Sequence, residues 1–183
     1  MQANIQNPAA KFKTAAVQEL AEKVSAKLRA RIGENFISES IDYDFPVFNL
    51  KRESIVEALE FLYNDSELEF RFLTTMATIH YPDRKGEEFT LMYQLHNMPK
   101  NWQIRLKITM PLEDPSVNTA TTLFRTANWM ERQEYDFYGI IFKGHPNLKR
   151  ILNMDEMNYF PMRKEFPLED GSRTDKDDAM FGR

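Results

Sequence analysis

The sequence predicts an α+β domain of two layers, helices on a mixed, largely antiparallel sheet, followed by an extended C-terminal arm. Three observations predict it. Phe89, Leu91, Tyr93 and Leu95 alternate with Thr90, Met92, Gln94 and His96, and Trp102, Ile104, Leu106, Ile108 and Met110 alternate with Gln103, Arg105, Lys107 and Thr109. A period of two with one polar face marks an antiparallel sheet covered on one side. Phe12, Ala16, Leu20, Val24, Leu28 and Ile32 instead recur every four residues, like the buried stripe of a helix. Beyond Gly139 neither period persists, yet the chain stays rich in apolar residues and is broken by Pro146, Pro161 and Pro167. Proline forbids a continuous helix there.

Taken in order, the first helix spans residues 8 to 32, opened by Asn7-Pro8 and closed by Gly33. Its other face carries Lys11, Lys13, Lys23, Lys27, Arg29 and Arg31 against Glu19 and Glu22. Such a face could lie on anionic lipid; the plainer and preferred reading is a domain helix with a solvated basic face. Short strands follow near residues 36 to 38 and 45 to 50. A second helix covers about 52 to 64, with Ile55, Ala58, Leu59 and Leu62 on one face. Residues 70 to 81 hold a strand of mixed pattern, and turns at 82 to 86 and 97 to 101 separate it from the two alternating strands. A polar connector, 111 to 118, leads to a third helix. That helix is expected to start near Thr119, a capping residue, to carry the stripe Leu123, Ala127, Met130, Glu134 and Phe137, and to stop at Gly139. Residues 1 to 139 then form the domain and 140 to 183 the arm. After Glu169 the arm turns polar and charged, a composition expected to be disordered or ordered only on binding.

Composition narrows the function classes. The chain has 183 residues, enough for one domain with a real core. A net charge of −4 gives no general nucleic-acid footprint. The chain contains no cysteine, so it can form neither disulfides nor thiolate-held zinc or iron–sulfur centres. No run approaches the roughly 18 apolar residues of a membrane helix, and a signal peptide is not expected.

The chemistry-bearing residues point the same way. His80, His96 and His145 stand in no metal-ligand spacing. His80 and His96 are expected at polar or edge positions of strands, and His145 to hydrogen-bond backbone or a partner's carboxylate rather than move protons. Glu131, Glu134 and Asp136 cluster on the third helix. An acid–base pair would need opposed environments. The simpler reading pairs Arg132 with Asp136 on the helix surface and lets Glu131 pair across an interface. No G-x-G-x-x-G occurs, and His145-Pro146 follow Gly144 where a phosphate loop needs Lys-Ser or Lys-Thr. Arg163-Lys164, between Phe160 and Phe166, could hold phosphate or nucleic acid, but an interprotein salt bridge is the better expectation.

The segment Trp129-Met130-Glu131-Arg132, Tyr135-Asp136-Phe137-Tyr138-Gly139-Ile140 and Gly144-His145-Pro146-x-Leu148-x-Arg150-Ile151-Leu152 resembles the signature of the 30-kDa subunit of respiratory complex I, the C subunit of bacterial NADH:quinone oxidoreductase. Pro161-Met162-Arg163-Lys164-Glu165-Phe166-Pro167 is similar to a further segment of that family, as are Phe72-Leu73-Thr74 and Asp114-Pro115-Ser116-Val117. The likeness covers roughly residues 70 to 168. The chain departs from the family's pattern at Gln133, where Glu is usual, at Thr126 and Lys149, where Gly and Arg are usual, and near His80, where an Asp is usual.

The resemblance implies a subunit without catalytic, cofactor or metal residues of its own, in the hydrophilic arm of a proton-translocating NADH:quinone oxidoreductase. FMN and iron–sulfur clusters would sit in partner subunits. The chain would brace the large subunit lining the quinone site, beside neighbouring iron–sulfur subunits. It would be peripheral, on the cytoplasmic side of the bacterial inner membrane, with no nucleic-acid partner. Its interface would draw on Trp129, Glu131, Arg132, Glu134, Asp136 and Phe137 from the third helix. The arm would add His145, Pro146, Arg150, Leu152, Arg163, Lys164, Phe166 and Pro167. From the residues alone, the apolar groups of the arm could equally cover the domain's own sheet or dock on a partner; the resemblance favours docking. Two alternatives stand beside it: the equivalent subunit of a membrane-bound hydrogenase-type complex, and a free-standing acid–base enzyme using His145 with Glu131 or Asp136.

Overall fold

The computed structural model describes residues 8–166. Helix α1 (Pro8–Ile32) leads into a hairpin of β1 (Phe36–Asp42) and β2 (Phe45–Leu50). Tyr43 and Asp44 turn the hairpin with φ of 52° and 66°, the two positive angles a tight two-residue connection demands. A single 3-10 turn precedes α2 (Ile55–Asn64), and β3 (Phe72–His80), β4 (Phe89–Asn97) and β5 (Trp102–Met110) follow. The five strands form one sheet in the order β1-β2-β5-β4-β3. All neighbours are antiparallel except β2 and β5, so the sheet is mixed and largely antiparallel. A short β6 (Ser116–Asn118), α3 (Ala127–Tyr138) and β7 (Ile141–Lys143) complete the order.

The alternating strands behave as their period requires. Leu91, Tyr93, Leu95, Ile104, Leu106 and Ile108 point into a core shared with Val24 and Leu28 of α1, Leu59 and Leu62 of α2, Phe124 from the turns before α3 and Ala127 at its start. Gln94, Gln103, Arg105 and Lys107 keep partial solvent contact on the other face. The mixed pattern of β3 has a local cause. Its register against β4 slips between Leu73 and Thr75. This bulge moves the buried set by one residue, from Leu73 to Met76, Thr78 and His80. His80 lies on β3, the edge strand, as expected, but its ring does not face solvent: it is buried and stacks on Phe89 with ring centroids 4.8 Å apart.

Several expectations change. The first strand runs on to Asp42 rather than stopping near 38, and it is exposed along most of its length. An edge strand with no covered face has no periodic signal to read. On α1, among the residues whose burial is described, Ala16 is exposed and Leu20 is the first that is buried. The described basic residues of α1 are engaged within the chain. Lys27 reaches Asp65 at 2.8 Å and Glu67 at 2.9 Å, Arg31 reaches Glu57 at 3.0 Å, Lys23 reaches Glu67 at 3.4 Å and Arg29 reaches Glu39 at 3.7 Å. This favours the domain-helix reading over a lipid-lying one. The third helix does not start near Thr119. Residues 120 to 126 make successive turns and the helix begins at Ala127. The connector is not featureless either: β6 pairs in parallel with β7, and the Thr119 N–H extends the ladder to the Lys143 carbonyl at 2.9 Å.

Candidate functional site

The carboxylates singled out on the third helix all face inward. Glu131, Glu134 and Asp136 have 0%, 2% and 0% of their surface exposed. The expected surface pair between Arg132 and Asp136 is not formed, and Glu131 has no exposed surface to offer across an interface. Glu131 is satisfied inside the chain: its Oε2 accepts from the Thr119 hydroxyl at 2.5 Å and its Oε1 from the Ala120 N–H at 2.7 Å. The hydroxyl that would have capped a longer helix thus serves this carboxylate instead. Burial pushes the Glu131 carboxyl up to about 7, against the opposing pull of those two bonds.

Asp136 is the centre of a clasp. Its Oδ2 accepts the N–H groups of Ile151, Leu152 and Asn153 at 3.1, 2.8 and 2.9 Å. Its Oδ1 accepts from the Asn153 amide at 3.0 Å and from Arg150 at 2.8 Å. Burial alone would raise its pKa, but the Asn153 and Leu152 N–H groups, the Asn153 amide and Arg150 outweigh it and hold the carboxyl far below the usual range. Arg150 is buried beside it and also donates to the carbonyls of Asp136, Met157 and Tyr159 at 2.9, 2.8 and 2.8 Å. Arg132 donates to the Lys149 and Arg150 carbonyls, and Arg163 to the Tyr138 carbonyl at 2.8 Å.

These bonds answer a general need. Backbone carbonyls and N–H groups outside helices and sheets must still find partners. Here Asp136, Arg132 and Arg150 supply them to a segment that lacks regular structure, and Arg163 supplies one to the last carbonyl of α3. Gly139 makes the fold-back possible. It sits at φ 79°, and an added Cβ would lie 2.6 Å from the Phe160 ring and 2.8 Å from the Arg163 guanidinium. At the far end, the Lys164 N–H donates to His80 Nδ1 at 3.0 Å. The Met162 N–H donates to the Phe137 carbonyl at 3.2 Å.

The clasp leaves apolar side chains facing outward. Leu152 is 66% exposed and Met154 70%; Tyr159, Met162 and Phe166 are exposed as well. On the neighbouring face Trp129 is 61% exposed, with the Arg132 guanidinium over its ring at 5.2 Å. Trp129, Arg125 and Pro146 line a shallow concave patch there. His145 is spent on backbone: the Asn147 N–H donates to Nδ1 at 3.0 Å, so Nε2 carries the proton and donates to the Asn128 carbonyl at 3.1 Å. Arg163 stacks on Phe160 and Phe89 rather than standing free for phosphate. Pro167 and the polar end of the arm lie outside the described residues. Among those described, no helix is long and apolar enough to cross a membrane, and no group of three or more His, Cys, Asp or Glu is placed to hold a metal.

Sequence reasoning singled out Asp136 and Arg150 but not their partnership, and it missed Tyr93, whose fully buried hydroxyl finds no partner among the described residues. A tyrosine in an alternating strand reads as core, and nothing in its spacing points to the carboxylates beside it.

Fold and site together define a class: a two-layer α+β module whose last helix clasps an irregular arm and turns its apolar side chains outward. The family model for the respiratory-chain NADH dehydrogenase, 30 Kd subunit, matches residues 48–172, and the chain belongs to that family. It is similar to the C subunit of the NADH-quinone oxidoreductase of Nocardioides sp., 40% identical over 121 residues, 66% of this chain and 48% of that protein. It is also similar to the C subunit of the same oxidoreductase in Streptomyces coelicolor, 34% identical over 153 residues, 82% of this chain and 61% of that protein. The chain therefore spans about half to three fifths of the length of these relatives. Among solved structures, a trypsin-resistant fragment of Nqo5 superposes with a TM-score of 0.58 at 27% identity, covering 72% of this chain and 98% of the fragment.

Proposed function

We propose that this chain is a subunit of a proton-translocating NADH:quinone oxidoreductase, without a redox centre of its own, and that its work is positional. Electrons would pass from NADH through FMN and iron–sulfur clusters held by partner subunits to quinone. The chain would brace the large quinone-site subunit and its iron–sulfur neighbours from the cytoplasmic side of the membrane, as a peripheral component. The family and the names its relatives carry support the assignment to such a complex.

The observation that carries the positional reading is the clasp. Asp136 and Arg150 tie an irregular segment to the end of α3, and the residues so tied present Leu152 and Met154 to the outside. Ordering a docking segment in advance lowers the entropy lost on binding, and a site that must hold redox partners within ångströms needs that rigidity. The two ring nitrogens of His145, both bonded to backbone, favour this reading over an acid–base enzyme.

Affinity purification of the tagged full chain from its own membranes tests the proposal. Co-recovery of flavin and iron–sulfur proteins with NADH:quinone activity is the expected result. Recovery of the chain as a free monomer, with the oxidoreductase intact in its absence, overturns it.

A further inference from the structure

His80 closes β3, and its side chain is 2% exposed. Phe89 stands opposite it in the β3–β4 register and covers one face of the ring. The Nδ1 edge faces the arm, where two consecutive residues reach the same nitrogen. The Lys164 N–H donates to Nδ1 at 3.0 Å, and Glu165 Oε2 lies 3.4 Å from it. Nε2 is buried and has no partner among the described residues.

The two contacts at Nδ1 exclude each other. An imidazole nitrogen accepts an N–H only through its lone pair, and it bonds a carboxylate only by donating a proton. With Lys164 donating, Nδ1 is bare, the ring is neutral and its one proton sits on Nε2. Glu165 is then an acceptor facing an acceptor, and its side chain, 45% exposed, keeps its water. A second proton on the ring can go only to Nδ1. There it sets two N–H groups against each other, those of His80 and Lys164, and it offers Glu165 a charged donor. A charge-assisted bond of that kind is about twice as strong as a neutral one.

We propose that His80 is a two-position latch for the far end of the arm: the neutral ring holds the Lys164 backbone, and the ring protonated at Nδ1 releases that N–H and holds the Glu165 carboxylate instead. The proton comes from solvent and returns to it, and only hydrogen bonds are exchanged. The exchange moves the grip on by one residue. Next along the chain is Phe166, whose N–H is bonded to the Arg163 carbonyl and whose ring packs on Tyr159 at 5.0 Å. Met162, tied through its N–H to the Phe137 carbonyl, lies just before the latch. Both belong to the outward-facing set, so the latch sets how the end of that set is presented.

Histidine is the side chain whose charge ordinarily changes between about pH 5 and 8. The groups around this ring carry both signs. Glu165 comes from the arm, and its Oε1 also stands 4.0 Å from the Arg163 guanidinium. Glu88 comes from the turn before β4, its carboxylate tied to the Gly86 and Leu112 N–H groups. Arg163 lies 5.3 Å from the Phe89 ring, and Tyr138 of α3 meets that ring edge-on at 6.3 Å. Glu134 of α3 lies against Thr78, two residues earlier on β3.

Nitrogen-15 NMR of the full chain, titrated from pH 8 to about 5, tests the latch. That window stays above the range in which the Asp136 contribution is lost. At the alkaline end His80 is expected as the tautomer with its proton on Nε2. As the ring takes its second proton, the Lys164 amide signal should move with the same midpoint. Its exchange, corrected for the intrinsic effect of pH, should become roughly fivefold faster, the change that goes with one net hydrogen bond. In Glu165→Gln the Lys164 amide should still be released, but at lower pH, because the protonated ring has lost its charged partner. His80→Phe should leave the Lys164 amide without any transition in the window. A Lys164 amide that stays protected and unmoved while the His80 ring titrates overturns the proposal. So does a neutral ring with its proton on Nδ1, or a ring that takes no second proton down to about pH 5. The titration of the native chain needs no variant, so a variant that fails to fold still leaves a decisive measurement. The latch belongs to the isolated chain, and its test stands apart from that of the subunit assignment.

Discussion

Asp136 shows how much one side chain can organise. Its carboxylate accepts three consecutive backbone N–H groups, an amide and a guanidinium. Asp136→Asn keeps the shape but removes the charge opposite buried Arg150, and breaking a buried pair from one side costs about 3–5 kcal/mol. Urea unfolding of the full chain should show a loss of that order. The same residue sets an acid limit. Its folded pKa is depressed, so its contribution is complete above the ordinary aspartate range and is lost as pH falls below about 4. Stability of the native chain should drop there, and the Asn variant should lack this component. At this scale the sequence was half legible. Both members of the pair stood in the resemblance, but residues 14 apart along the chain cannot be matched by helical spacing. The four-residue rule offered Arg132, whose guanidinium turns to the Lys149 and Arg150 carbonyls instead.

Among the elements, those with a strict period were legible and those shaped by a local irregularity were not. The strands 89–97 and 102–110 and the first helix stand where periodicity put them. The bulge in β3 scrambled its alternation, and the turns after Thr119 delayed the third helix, because Thr119 is bonded to Glu131 rather than to a helix end. The stop at Gly139 was legible, and its second role was not: the absence of a Cβ lets Phe160 and Arg163 close over the helix end. Gly139→Ala should destabilise the chain by about 1–2 kcal/mol from the left-handed backbone alone. The larger effect should be on the arm, which cannot close without displacing the Phe160 ring. Limited proteolysis should then cut between residues 150 and 166 in the variant far faster than in the native chain. An unchanged cleavage rate would mean that the arm does not depend on that approach.

For the molecule as a whole, the two halves of the arm's apolar content part company. Ile140 and Phe142 are buried in the domain, whereas Leu152, Met154 and Met162 are held outside it. From composition alone these sets look alike, which is why covering the sheet and docking on a partner could not be separated by reading residues. In the isolated chain, amide exchange should be slow at Ile151 to Asn153, whose N–H groups end on Asp136, and fast at Asp155 and Glu156. In the assembled complex the proposed docking should slow both.

The central claim is that these outward residues serve assembly and not chemistry. Leu152→Glu addresses it directly, because an exposed position alters the isolated chain's stability by only about 0.5 kcal/mol, while a charge placed in an apolar interface weakens it severalfold, each 1.4 kcal/mol being about a factor of ten. The measurement is the amount of assembled oxidoreductase in membranes beside the NADH:quinone turnover per assembled complex. Several-fold less complex, with normal turnover in what remains, is the predicted result. Full assembly with turnover abolished, or with nothing changed at all, would contradict it.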